Sequence, residues 1–207
     1  MKIWVIIFCS GLSLICRAEY KSSFLKFTFC DTSKPFIKEI NRSVYDDVVN
    51  FEKQLNLESL EQGFDGFQIR IWEGTMASIS LTIIRNEDSK WKANYYDLQI
   101  GPPSAGDFYF KVVKQKMKPV FPRLGWPEFS QIVLRSNIMT CPDESKLSDY
   151  AMIVDGTHYL IEIATKQQYR LYTSSVPFPS QKVSAERKSL IEILDYIRTE
   201  LGAYFLE

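Results

Sequence analysis

Residues 66–72 read GFQIRIW, and every second side chain is apolar. Phe67, Ile69 and Ile71 alternate with Gln68, Arg70 and Trp72, the period of two that sends successive side chains to opposite faces of a β-strand. The alternation returns in MASISLTII at 76–84, where Ile79, Leu81 and Ile83 alternate with Ser78, Ser80 and Thr82. It returns again in WKANYYDL at 91–98, where Trp91, Ala93 and Tyr95 alternate with Lys92, Asn94 and Tyr96. Three such runs predict an antiparallel meander, apolar toward a core and polar toward water. One-sided burial then sets the expected register, because a one-residue slip turns a whole apolar set outward. A loop over Glu73-Gly74-Thr75 places Ile69 opposite Ile79 and Phe67 opposite Leu81. A loop over 86–88 places Leu81 opposite Ala93.

The pattern extends in both directions. GPPSAG at 101–106 is a turn. After it FYFKVVKQKMK predicts a fourth strand with Phe108, Phe110 and Val112 inward, ended by Pro119 and Pro122. Lys114, Lys116 and Lys118 fall on that same face and Lys111 on the other, a spread that fits edge protection better than a polyanion site. Downstream, IVDGTHYLIEI at 153–163 carries Asp155-Gly156 between apolar runs, the signal of a type I′ hairpin that pairs Met152 with Tyr159. A second turn over 165–167 sets Ile163 opposite Tyr169, Ile161 opposite Leu171 and Glu162 opposite Arg170. Helices are expected over 43–61, with Val44, Val48, Phe51 and Leu55 in a stripe and Ser43 as cap. Others open at Trp126-Pro127-Glu128, with Phe129, Ile132 and Val133 inward, and after Ser184, with Leu190, Ile191, Leu194, Ile197 and Leu201 inward and Gly202 as the stop. The expected fold is α+β, an antiparallel sheet of about seven strands in two meanders of four and three, covered by three helices.

The first eighteen residues, MKIWVIIFCSGLSLICRA, have the charged start, short apolar run and small final residue of a secretory signal peptide, with cleavage expected after Ala18. Ile3–Cys16 is shorter than the ~20 residues of a membrane span, and Ser13, Leu14 and Ile15 do not make a lipobox around Cys16. The expectation is therefore a signal at 1–18 and one α+β domain at 19–207, periplasmic or extracellular, with no transmembrane segment. Removing Lys2 and Arg17 from 25 basic residues leaves 23 against 25 acidic, a net of about −2. That balance argues against nucleic acid as a partner. Cys30 and Cys141 remain; in an exported chain they can pair, or stay two buried thiols.

His158 is the one histidine. It lies on the strand face away from the expected core, beside Ser174, with Ser175 and Glu162 near. These are the candidates for an extracytoplasmic hydrolase using His158 as base. No nucleophile elbow accompanies them, Asp155 is occupied by its turn, and Arg170 offers Glu162 a partner. No zinc, phosphate-loop or dinucleotide motif is present, so neither metal nor cofactor is expected. Phe, Trp and Tyr make up 14% of the chain. Trp72, Tyr96, Tyr109 and Tyr172 fall on faces assigned to solvent and, with Arg170, are candidate contacts to a protein, peptide or glycan partner. The alternative is a sheet buried on both faces by the three helices. The leading expectation is a non-enzymatic binding or interaction domain.

Residues 154–179, VDGTHYLIEIATKQQYRLYTSSVPFP, with the upstream IRIW and SLTIIRNEDSKWKANYY, resemble segments of uncharacterised exported proteins of Bacteroidetes-type bacteria, where a D-G-T-x-Y-x-I-E core precedes Y-R-x-Y and a proline. The resemblance spans about half the chain. It implies an exported bacterial protein and carries over no activity and no functional residue.

Overall fold

Phe67–Gly74, the strand first read from its alternation, lies inside a single antiparallel sheet. The computed structural model describes residues 39–74, 78–103, 110–149, 157–176 and 183–202. Strands β1 (Phe67–Gly74), β2 (Ser78–Glu87), β3 (Lys90–Gly101), β4 (Lys111–Val120), β5 (Thr157–Thr165) and β6 (Tyr169–Val176) pair in the order β4-β3-β2-β1-β5-β6. Helices α1 (Glu39–Gln54), α2 (Trp126–Arg135) and α3 (Ala185–Leu201) complete the described elements. The α+β class is as expected, with six described strands rather than about seven. Residues 150–156, expected to hold a further strand and the Asp155-Gly156 turn, lie outside the described residues, as do the expected signal at 1–18 and Cys30.

The register differs from expectation in both hairpins. Ile69 pairs with Ile84 and Phe67 with Asn86, and Ala93 also pairs with Ile84 rather than Leu81. Strand β2 continues through Arg85, Asn86 and Glu87, and the chain reverses at Asp88 and Ser89, both at positive φ (49° and 64°), as a two-residue primed turn requires. In the second hairpin Tyr169 pairs with Ala164, so Arg170 lies opposite Ile163 and Glu162 opposite Leu171. The slips are odd, so β2 and β6 present opposite faces from those expected. The cause is that the sheet is covered on both sides, so apolar alternation no longer marks a unique inner face.

One face packs on α1: Val48 and Phe51 meet Trp72, Leu81, Ile83, Leu98 and Leu160. The other carries an aromatic chain from sheet to helices. Phe67 meets Trp91 edge-on, Trp91 stacks on Trp126 at 6.2 Å, Trp126 meets Phe129, and Phe129 stacks on Tyr196. Helix α3 keeps its expected ends. Ser184 Oγ accepts from Arg187 N, and Gly202 adopts the left-handed conformation. Ile193 is buried and Ile191 only half-buried, and on α2 Leu134 is buried while Ile132 is exposed. Helix α1 begins before Ser43, which is not its cap, and ends at Gln54, after which Asn56 takes φ 55°.

Strand β4, the outermost strand at its end of the sheet among the described residues, contains Pro119 instead of ending before it, as an outer strand tolerates. A bulge between Gln99 and Ile100 sends Val112 to the α1 face and Lys114, Lys116 and Lys118 to the other, separating residues expected on one face. Gln54 bridges the start of this edge, donating to Phe110 O and accepting from Val112 N. At the opposite edge Asp143 accepts from Thr173 N and Thr173 Oγ1, so both edges carry a side-chain cover.

Gly66 opens β1 at φ 136°, where a Cβ would lie 2.2 Å from Asn86 O. Gly66→Ala is expected to lower the unfolding free energy by about 2 kcal/mol or more, read by urea denaturation. Gly202→Ala, with open space around it, is expected to cost about 1 kcal/mol.

Candidate functional site

The outward aromatic platform is not formed. Trp72 and Tyr172 are 4% and 2% exposed, Arg170 is buried and Tyr96 half-buried, because helices cover both faces; Tyr109 lies outside the described residues. Trp72 packs on Phe51 and donates to Glu162 Oε2 at 2.8 Å. Tyr172 OH donates to Ile138 O, and Arg170 sits over the Tyr172 ring while donating to Met139 O and Cys141 O. These groups hold the 137–141 turn against β6. Cys141 is a free, buried thiol that burial pushes up to about 11.

His158 is exposed and lies across from Ser175, with Nδ1 2.9 Å from Ser175 Oγ. Ser174 points to the opposite face, its hydroxyl buried without a hydrogen-bond partner among the described residues. Glu162, four residues along the strand from His158, is held by Trp72 and Tyr169. The structure therefore brings together His158 and Ser175 and separates both from Glu162 and Ser174. Among the described residues no carboxylate bonds the imidazole, so the third member that would fix its tautomer is missing there.

One set of deeply buried charges lies between α1 and the sheet. Arg70, 1% exposed, pairs with Glu52 and donates to Glu58 O at 2.7 Å. Glu162 of β5 lies directly across from Arg70. Two buried carboxylates thus face one guanidinium. Burial, and then the charge of Glu162, push the Glu52 carboxyl up to about 7; burial also raises Glu162. The pair holds a proton that two free glutamates would release. The cluster ties α1 and the segment after it to β1 and β5.

A cavity of about 250 Å³ opens on the other face, between α3 and strands β1, β2, β3 and β5. Register builds it. Asp97 of β3, Ser80 of β2, Glu73 of β1 and Tyr159 of β5 stand in one cross-strand row, with Tyr95, Thr82 and Ile71 in the next. Helix α3 overhangs with Leu194, Ile197 and Arg198. Arg198 Nη2 donates to Glu73 Oε1 at 2.6 Å and to the Tyr159 hydroxyl, and Nη1 lies 3.5 Å from Asp195 Oδ1. Burial raises the Tyr95 and Tyr159 hydroxyls, so both stay protonated donors at neutral pH. The arrangement offers hydroxyls and carboxylates over an apolar floor, a binding geometry. It was hidden in the sequence because Glu73 was expected in a loop and Ser80 on the wrong face.

Among the described residues no group of three His, Cys, Asp or Glu side chains could hold a metal ion, and no helix is long and apolar enough to cross a membrane. Compared with known proteins, the chain matches no family model, no curated protein and no solved structure.

The buried pair sets a pH dependence. Because Glu52 is raised in the fold above its ordinary value of 4.5, its stabilising effect is complete below that value and is lost as pH rises through about 7. Urea unfolding of the wild type, compared with Glu52→Gln, is expected to lose stability from pH 5 to 8, at up to about 1.4 kcal/mol per pH unit. Arg70→Met is expected to cost about 3–5 kcal/mol by the same measurement, since it strands both carboxylates.

Proposed function

We propose that this chain is a non-enzymatic binding domain that works outside the cytoplasm and takes a small ligand in the cavity beneath α3. The observation that carries this reading is the convergence of Glu73, Ser80, Tyr95, Asp97 and Tyr159 on one half-open space. At about 250 Å³ it falls just under the ~300–1,000 Å³ range of drug-sized ligands, which favours a metabolite-sized molecule over a folded partner or long glycan. The extracytoplasmic location rests on the lysine at position 2 and the apolar run at 3–16.

One contact favours a second reading, a hydrolase: His158 Nδ1 and Ser175 Oγ lie 2.9 Å apart. Ser175 is 4% exposed and Glu162 is engaged elsewhere, so attack on a substrate would require the serine to be uncovered.

Ligand-observed NMR with a fragment mixture, followed by amide shift mapping, tests the binding reading. Shifts are expected at Ser80, Thr82, Asp97 and Tyr159, and Ser80→Phe is expected to weaken binding at least tenfold with the fold retained. Shifts clustered elsewhere, or unchanged binding in the variant, would overturn it. If esterase activity is found with chromogenic esters, His158→Ala leaves it unchanged on the binding reading and abolishes it on the hydrolase reading.

A further inference from the structure

The charges lining the cavity do not balance, and the imbalance narrows the ligand. Glu73 is answered by Arg198, whose guanidinium also meets the Tyr159 hydroxyl and Asp195. With two carboxylates already around it, Arg198 is a poor receptor for a third. Asp97 is different. It lines the same cavity, it is partly buried, and among the described residues it joins no ion pair. Lys116, its cross-strand neighbour on edge strand β4, is exposed and forms no ion pair with it.

A partly buried carboxylate over an apolar floor favours a cation, because desolvation makes an unanswered charge costly. The chemistry around Asp97 says which kind. No third acidic or histidine ligand converges on it among the described residues, whereas a hard metal ion collects several oxygens at one point. Ser80, directly across from Asp97, and Tyr95, two residues before it on β3, place hydroxyls in the same cavity. Ile71, Ile79, Leu194 and Ile197 supply apolar surface in the same space. An ammonium offers three donors for one carboxylate and two hydroxyl oxygens, and a short hydrocarbon body would cover the isoleucines and leucine.

We propose, building on the cavity as the binding site, that the ligand is a small primary amine whose ammonium pairs with Asp97 and whose apolar body lies under α3. Its size matches a hydrocarbon or single aromatic ring on a short chain.

Isothermal titration with 2-phenylethylamine, its neutral isostere 2-phenylethanol and the acid 3-phenylpropionate tests this. The amine is expected to bind at least tenfold more tightly than the alcohol, the acid more weakly than either. Asp97→Asn, which keeps the side chain's shape, is expected to reduce amine binding at least tenfold and leave the alcohol unchanged; Glu73→Gln, already paired with Arg198, is expected to have the smaller effect. Raising salt should weaken the amine alone. Equal affinity for amine and alcohol, with no effect of Asp97→Asn, would overturn the amine assignment while leaving the cavity as a neutral-ligand site. Binding of none of the three, with no amide shifts at Ser80 or Thr82, would overturn the cavity reading as well. Thermal unfolding of each variant verifies that a lost signal is not a lost fold.

Discussion

Arg70 carries a guanidinium into the middle of the molecule with 1% of its surface exposed, and the neighbouring elements are arranged around that charge. Glu52 reaches it from α1, the Glu58 carbonyl from the segment after α1, and Glu162 from the adjoining strand β5. A buried charge without partners costs several kcal/mol, whereas well-packed apolar replacements of a whole ionic group are often neutral. The cluster is therefore better understood as a constraint on arrangement than as a source of stability. It specifies which face of β1 meets α1 and which strand lies beside β1. That junction joins the β1–β4 meander to the β5–β6 hairpin.

Once Arg70, Trp72 and Gln68 belong to the α1 side, alternation sends Phe67, Ile69, Ile71 and Glu73 to the side of α2 and α3. The aromatic chain from Phe67 to Tyr196 takes up one end of that side. Toward the other end the row Asp97–Ser80–Glu73–Tyr159 turns polar beneath Arg198. The same strand thus presents a closed ionic cluster on one face and an open, partly answered set of charges on the other. The second lines the cavity beneath α3, and the proposed function rests there.

Much of this was legible in the residues. Period two marked every described strand, and Ser184 and Gly202 marked both ends of α3, because capping and pleating are local physics. Register was not legible, and the reason lies in particular residues. Leu81, Ile83 and Ile84 make both faces of β2 apolar, so no single inner face can be chosen. The polar run Arg85, Asn86 and Glu87 looks like a loop although it continues the strand. Arg170 opposite Glu162 made a sensible ion pair, yet the hairpin turns one residue away and gives Arg170 the carbonyls of Met139 and Cys141. Tyr172 follows the β6 slip to the face of Ile161 and Ile163, whereas Trp72 keeps its expected face and is buried because α1 covers it. Cavities assemble across strands, so a register error hides them even when every strand is found.

The central claim is the register that places Ile69 between Ile84 and Ile163. Cross-strand nuclear Overhauser effects between backbone protons of β1 and its neighbours test it most directly. The account predicts effects linking Ile69 to the Ile84 and Ile163 positions, and Glu73 to Ser80 and Tyr159. Effects linking Ile69 to Ile79 and Phe67 to Leu81 would contradict it, dissolving both the buried Arg70 cluster and the cavity row.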